Sequence, residues 1–190
     1  MKNLLIPFLD STLQHFCFLE KKYKITHEQI SPSTIRWSKK NYCLEISYDY
    51  HYSYEINLFF YDTNSDTPPF ELYDLIKLAG IEYTHMSAFQ ASSEERITQL
   101  VEKISNKLNH VMQNLSVFSS DTIDKLIEQR KQDCKKNTTR GKLFRIRKDA
   151  EIAWKKREYT VLVELYGPFL DALSPSELKK YEYAIKKLND

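Results

Sequence analysis

Apolar positions over residues 3–22 recur at helical spacing: Leu5, Leu9, Leu13 and Phe16 form one stripe, which Leu4, Phe8 and Cys17 widen. The spacing predicts an amphipathic helix with Pro7 in its first turns, where a missing backbone N–H is tolerated. Such a stripe needs a surface to bury against. The next segment supplies one: in STIRWSKKNYCLEISYDYHYSYEINLFFYD, residues 33–62, the period changes from 3.6 to 2.

Parity constrains how these strands pair. Ile35 and Trp37 are odd-numbered, whereas Tyr42, Leu44, Ile46 and Tyr48 are even, so both sets share a face only if the intervening loop is even in length. A two-residue turn at Lys39-Lys40 satisfies this and sets Trp37 opposite Tyr42 and Ile35 opposite Leu44. The apolar residues Ile56, Leu58 and Phe60 keep the even parity, so the second loop is odd, most simply His51-Tyr52-Ser53. That register pairs Tyr50 with Tyr54, Tyr48 with Ile56, Ile46 with Leu58 and Leu44 with Phe60, and it places Tyr42, Tyr48 and Tyr54 on the buried side. The expected product is a three-stranded antiparallel meander under the first helix. Its other face carries Arg36, Glu45, Ser47, Asp49, Glu55 and Asn57, together with Phe59 and Tyr61.

After the turn-forming DTNSDTPPF, the stretch FELYDLIKLAG sets Leu72, Leu75, Ile76 and Ala79 at helical spacing, with Gly80 placed as a C-cap. An irregular run, residues 81–91, leads to a long helix. Ser92 and Glu95 form its expected capping box, and Ile97, Leu100, Val101, Ile104, Leu108, Val111, Met112 and Leu115 make one stripe. The remainder is helical in pattern, with NTTRG, residues 137–141, as the expected joint. Ser174, Pro175 and Glu177 open the last helix as a second capping box. The fold class that follows is α+β, with an N-terminal helix on an antiparallel meander and a mainly helical C-terminal half. Residues 1–118 and 119–190 are its expected divisions, either as two parts or within one compact unit.

Composition narrows the classes of function. The 190 residues contain only three glycines against a usual ~7%, and GxxxxGK[ST], GxGxxG and GxSxG are all missing, so the common phosphate-loop, dinucleotide and serine-hydrolase fingerprints are not present. Cys17, Cys43 and Cys134 are odd in number and widely spaced, which suits neither a disulfide framework nor a zinc site. Cys17 and Cys43 read as buried reduced thiols, while Cys134 lies in a basic run. His15, His27, His51, His85 and His110 are scattered without metal-ligand spacing. No metal or cofactor is therefore expected. Pro7, Asp10 and His15 interrupt any signal-peptide core, and no apolar run reaches the ~18–20 residues of a membrane span, so a cytoplasmic protein without membrane attachment is expected.

Charge is unevenly placed around the net of +2. Residues 42–82 hold eight acids and one Lys, a net of −7, whereas residues 130–148 hold nine bases and one Asp, a net of +8. Six of the thirteen tyrosines fall within residues 42–62. Acids interleaved with tyrosines suit a basic protein partner, which makes Glu45, Asp49, Tyr50, His51, Tyr52, Glu55, Phe59 and Tyr61 the candidate binding residues. Asp49, His51 and Glu55 would be the best acid-base set, but the tip of a hairpin is convex and wet, and catalytic groups sit in clefts. The alternative is nucleic-acid association through Lys135, Lys136, Arg140, Lys142, Arg145 and Arg147, with Phe144 the one aromatic in that run.

Two resemblances accompany these readings. Residues 149–188, DAEIAWKKREYTVLVELYGPFLDALSPSELKKYEYAIKKL, resemble a tetratricopeptide-type helical hairpin at Ala150, Ala153, Trp154, Tyr159, Val163, Tyr166 and Ala184. A single such unit cannot build a solenoid, so the resemblance implies a cap on the preceding helices. More broadly, the order of an N-terminal helix, the strands of IRWSKKNYCLEISYD, the FELYDLIKLAG helix, a long helix and the closing AWKKREYTVLVELY hairpin is similar to small bacterial proteins encoded near polymorphic toxins, a group thought to include immunity proteins. What this implies is a non-enzymatic protein that binds another protein, such as a basic toxin domain. No catalytic motif defines that group, so it assigns no residue a role here.

Overall fold

The structure, a computed structural model, describes residues 4–82 and 89–189. It divides into two compact units, residues 1–129 and 130–190, each with its own hydrophobic core. The expected α+β class is what is seen. Residues 83–88, which include His85 and part of the irregular run 81–91, lie outside the described residues.

In unit 1 the helix α1 (Leu5–Tyr23) is followed by β1 (Thr26–Ser31), β2 (Thr34–Lys39), β3 (Tyr42–Tyr48), β4 (Ile56–Asp62) and β5 (Phe70–Glu71), then α2 (Leu72–Leu78), α3 (Glu94–Asn114) and the first turns of α4 (Ser120–Lys156). The five strands form one antiparallel sheet in the order β1-β2-β3-β4-β5. The expected meander is its centre, and two edge strands are added. β1, with the sequence THEQIS, has no alternating apolar residues and is almost wholly exposed, so periodicity alone gave no sign of it. β5 is two residues long.

Pairing of β3 with β4 follows the parity reading, with Leu44 opposite Phe60, Ile46 opposite Leu58 and Tyr48 opposite Ile56. Pairing of β2 with β3 keeps the parity but is shifted by two: Trp37 lies opposite Leu44 and Ile35 opposite Ile46. The turn is Lys40-Asn41, not Lys39-Lys40, and Lys40 takes a φ of 57° at its first position. Either turn keeps the same residues inside, so burial of one face cannot choose between them. Turn geometry decides.

α1 lies against the apolar face of this sheet. The Phe8 ring is 5.4 Å from that of Tyr48, and Phe16 stacks on Trp37 at 5.0 Å. Its buried side follows the expected stripe only in part. Phe8 and Phe16 are buried and Leu4, Leu5 and Leu9 pack half-buried on the core, but Leu13 is exposed, and Ser11, Thr12 and Leu19 are buried instead. The helix is turned because α3 packs beside it, with Ser11 Oγ and Thr98 Oγ1 hydrogen-bonded at 3.0 Å and Ser105 Oγ donating to the His15 carbonyl at 2.7 Å. Small polar residues let the two helices approach closely. Thr12 Oγ1, however, is buried without a hydrogen-bond partner. Thr12→Val keeps the shape and removes that unsatisfied hydroxyl, and it is expected to raise unit 1 stability by about 1 kcal/mol in urea denaturation. A loss of similar size would show that the hydroxyl is satisfied in solution.

α2 ends as expected at Gly80 (φ 67°), whose N–H donates to the Lys77 carbonyl while Ile81 N–H reaches Ile76, the paired bonds of a Schellman cap. α3 buries the expected stripe from Ile97 to Met112, but its N-cap is Ser93, whose hydroxyl accepts the Arg96 N–H, and not Ser92. Ile123 and Leu126, in the first turns of α4, join the same core.

Unit 2 comprises α4 from Arg130 onward, α5 (Tyr159–Tyr166), a 3-10 turn (Gly167–Ala172) and α6 (Pro175–Asn189). NTTRG is not a joint: it lies inside α4. Asn, Thr and Gly each lower helix propensity by about 0.5–1 kcal/mol, whereas a break would leave two new helix ends with unsatisfied backbone groups. The core is small, built on Leu143, Ala150, Ala153, Leu162, Tyr166 and Ala184. α6 starts at the expected capping box, with Glu177 N–H donating to Ser174 Oγ at 3.3 Å and Ser174 N–H donating to Glu177 Oε2 at 2.7 Å.

Candidate functional site

The β3–β4 hairpin brings the acidic tyrosine-rich residues together, but in two different settings. At its tip the loop is wider than three residues and spans 49–55. The expected Tyr50–Tyr54 pair does not form, and Tyr54 is exposed at a φ of 55°. Asp49 organises this loop. Its Oδ1 accepts the backbone N–H groups of His51 (3.3 Å) and Tyr52 (3.1 Å), and its Oδ2 accepts the Ser53 N–H (3.1 Å) and hydroxyl (2.9 Å). The Ser53 hydroxyl and the Tyr52 N–H hold the Asp49 carboxyl below its ordinary pKa. Asp49 N–H also donates to the Glu55 carbonyl at 2.9 Å and closes the loop.

A second clamp comes from residues 89–91. Ala91 N–H donates to the Tyr54 carbonyl (2.7 Å), Ile56 N–H to the Phe89 carbonyl (2.8 Å), and the buried Tyr48 hydroxyl to the Ala91 carbonyl (2.6 Å). The tip is thereby fixed on both sides. On it, Tyr50 is half-buried with its ring 3.8 Å from the exposed His51, and Tyr52 is 90% exposed. The acid-base set of Asp49, His51 and Glu55 is not assembled for catalysis. Asp49 bonds the His51 backbone and not its ring, and both its oxygens serve the loop.

On the outer face of the sheet the charges are already paired. Arg36 donates from Nε (3.1 Å) and Nη2 (3.0 Å) to Glu45 Oε2, which also accepts the Tyr61 hydroxyl at 3.0 Å, while Arg36 Nη1 reaches Glu28 on β1 at 3.4 Å. Burial, and then the Glu45 charge, push the Tyr61 hydroxyl up to about 12. Glu45, Phe59 and Tyr61 are half-buried. This network ties four strands together across their pleats, and it uses up Glu45, one of the three acids that were expected to meet a partner. The nearby cleft lined by Asn57, Glu71, Tyr73 and Phe89 measures about 210 Å³, below the ~300 Å³ at which small-molecule sites begin.

The basic candidates fall on α4. Lys135, Lys136, Arg140, Lys142 and Arg145 are exposed, and at 100° per residue they spread over more than half of the helix circumference and do not form one narrow stripe. Arg147 is already engaged, with Nε 2.8 Å from Glu177 Oε1 and Nη2 3.2 Å from Oε2. Phe144 is 76% exposed, with Arg140 and Lys148 one turn to either side of it. Cys134 is exposed, Cys43 buried and Cys17 half-buried. Among the described residues no cluster of three or more His, Cys, Asp or Glu is arranged to hold a metal ion, and no helix is long and apolar enough to cross a membrane.

Sequence reading missed the role of Asp49 as a loop cap, although the signal is there: in DYHYS, an Asp followed by Ser four residues later is ordinary turn chemistry. It also missed Glu28, because β1 itself gave no periodic signal. No protein-family model matches the chain, and no curated protein or solved structure matches it.

Proposed function

We propose that this protein acts by binding another protein through the tip of its β3–β4 hairpin, and that the partner presents a basic surface, as a toxin domain neutralised by this chain would. The observation that carries the reading is Tyr52: a large aromatic side chain, 90% exposed, on a loop held by four hydrogen bonds to Asp49. Rigid, exposed tyrosines give contact area at low entropic cost, because ordering a mobile side chain on binding costs about 0.5–1.5 kcal/mol. The net −7 of residues 42–82 supplies the field that would steer a basic partner. With Glu45 and Asp49 engaged inside the fold, Glu55 is the acid of the tip left to act on that partner.

The test is affinity capture with the full chain as bait, followed by titration of the recovered partner. Tyr52→Ala is expected to weaken binding about 30-fold, the effect of a ~2 kcal/mol hot spot. Glu55→Lys should slow association more than it speeds dissociation. Reversing the charge of Asp49 is a poorer probe, since it would break the loop along with the charge. Equal affinity of the Tyr52→Ala and parent chains, with circular dichroism unchanged, would remove the tip as the contact.

A second reading, nucleic-acid association through residues 130–148, is favoured by one observation, the exposed Phe144 between Arg140 and Lys148. Pairing of Arg147 with Glu177 removes one of the six candidate cations.

A further inference from the structure

Unit 2 is basic as a whole: residues 130–190 hold sixteen Lys and Arg against nine Asp and Glu, a net of +7. Beyond the basic run of α4, one place in it combines cations with aromatic rings. Trp154 near the end of α4, Tyr159 at the start of α5 and Tyr183 on α6 meet as a cluster: Tyr183 is edge to face with Trp154 (ring centroids 5.5 Å apart) and with Tyr159 (5.9 Å), and Trp154 and Tyr159 are tilted to each other at 6.2 Å. They line an open cavity of about 770 Å³, within the ~300–1,000 Å³ of ligand sites. Tyr183 is 45% exposed, so these rings are not sealed into the core.

Cations complete the walls. Lys180 Nζ lies 5.7 Å from the centroid of the Trp154 ring, and Lys155, Arg157, Lys179 and Lys187 border the same cavity. No acid borders it. Glu151, one turn before Lys155 and bonded to it at 2.9 Å, offsets part of this charge. Like charges gathered around one cavity repel one another, and an anion seated there relieves that cost.

We propose that this cavity is a binding site for single-stranded nucleic acid, with an unpaired base stacked on the Trp154-Tyr159-Tyr183 cluster and flanking phosphates held by Lys155, Arg157, Lys179 and Lys187. The chemistry selects this class. A simple anion would use the cations and leave the rings idle. A duplex keeps its bases paired and stacked on one another, so it also leaves the rings unused. A single strand offers exposed π-faces and phosphates in alternation, and each stacked base contributes enough to be seen by alanine substitution. The site shares no residue with the hairpin tip or with Lys135, Lys136, Arg140, Lys142, Arg145 and Arg147, so it stands or falls independently of both proposed surfaces.

The experiment uses the full chain and a fluorescein-labelled oligothymidylate of about 12 nucleotides, inside the usual range of ~4–16 per single-strand site, at low salt. Competitors are a duplex of equal length, thymidine monophosphate and inorganic polyphosphate. Expected results are saturable binding with quenching of tryptophan emission, and a log K against log salt slope of roughly −2 to −3, corresponding to three or four phosphates. Tyr183→Ala should weaken binding about 5- to 100-fold, while Tyr183→Phe retains it. Lys179→Glu with Lys187→Glu should flatten the salt slope, and Lys135→Glu with Lys136→Glu should leave the effect of Tyr183→Ala unchanged. Circular dichroism establishes that each variant keeps its helices. Absence of binding would overturn the proposal. So would polyphosphate or duplex competing as well as the single strand, or the monophosphate saturating the site as tightly as the strand. Indifference to Tyr183→Ala in a folded chain would do the same.

Discussion

Phe16→Ala is expected to cost unit 1 about 3–5 kcal/mol, the range for deleting a fully buried aromatic ring. Phe16 has no exposed surface and stacks on Trp37 at 5.0 Å, so its ring is the contact that seats α1 on β2. Removing it opens a cavity flanked by Trp37 and Phe18, whose rings both neighbour it. Single domains are stable by only about 5–15 kcal/mol, so the variant should unfold at much lower guanidinium concentration, followed by far-ultraviolet circular dichroism and by emission of the buried Trp37. Leu13→Ala is the informative companion. Spacing alone places Leu13 and Phe16 on one stripe, whereas the structure leaves Leu13 42% exposed, and a partly exposed leucine should cost no more than about 1 kcal/mol. If Leu13→Ala proved as damaging as Phe16→Ala, α1 would have to present Leu13 to the sheet, and its orientation in the structure would be wrong.

That contrast marks the boundary of what could be read beforehand. Period reports that a segment is a helix and roughly which side is apolar, but α1 has Ser11 and Thr12 on its buried side because α3 needs a close approach there, and no property of residues 3–22 states where α3 will lie. Parity fared better. It set the face of every residue in β2, β3 and β4, since a one-residue slip would turn the whole apolar set outward. It could not exclude a two-residue slip, and the pairing set by the Lys40-Asn41 turn differs from the expected one by that amount. β1 escaped notice because an edge strand pairs through its main chain and THEQIS has no need of apolar alternation.

The candidate surface was legible in part. Its residues do share one hairpin, yet two of the three acids expected to face a partner turn inward to structural work, Glu45 on Arg36 and Tyr61, Asp49 on its own loop. Composition counts charges without saying which are already neutralised. The cluster of Trp154, Tyr159 and Tyr183 was illegible for a different reason: its members are up to 29 positions apart in sequence, and only the packing of α4, α5 and α6 brings them together.

Acidification should weaken unit 2 between pH 4.5 and about 2, and Glu177 is the reason. Its carboxylate accepts two hydrogen bonds from Arg147 and one from the Ser174 N–H, and the Arg147 guanidinium, more than any other group, holds its pKa down to about 2 from an ordinary 4.5. A group with a depressed folded-state pKa stabilises the fold fully above its unfolded value, and the stabilisation is lost as pH falls through the folded value. The size of the drop bounds the contribution at about 3 kcal/mol. Arg147 is 46% exposed on its side chain, so solvent screening reduces that to about 1–2 kcal/mol. Glu177→Gln should therefore be less stable than the parent chain at pH 7 by about that amount, while the two converge near pH 2, where the parent carboxyl is itself protonated. Arg147→Met should remove most of the acid-sensitive part and leave the capping box, because Ser174 and Glu177 still bond each other. Carboxyl chemical shifts followed by NMR give the decisive reading: the Glu177 titration should move up toward its ordinary range in Arg147→Met. If it stayed near 2 there, the Ser174 cap and not the arginine would be what holds the charge.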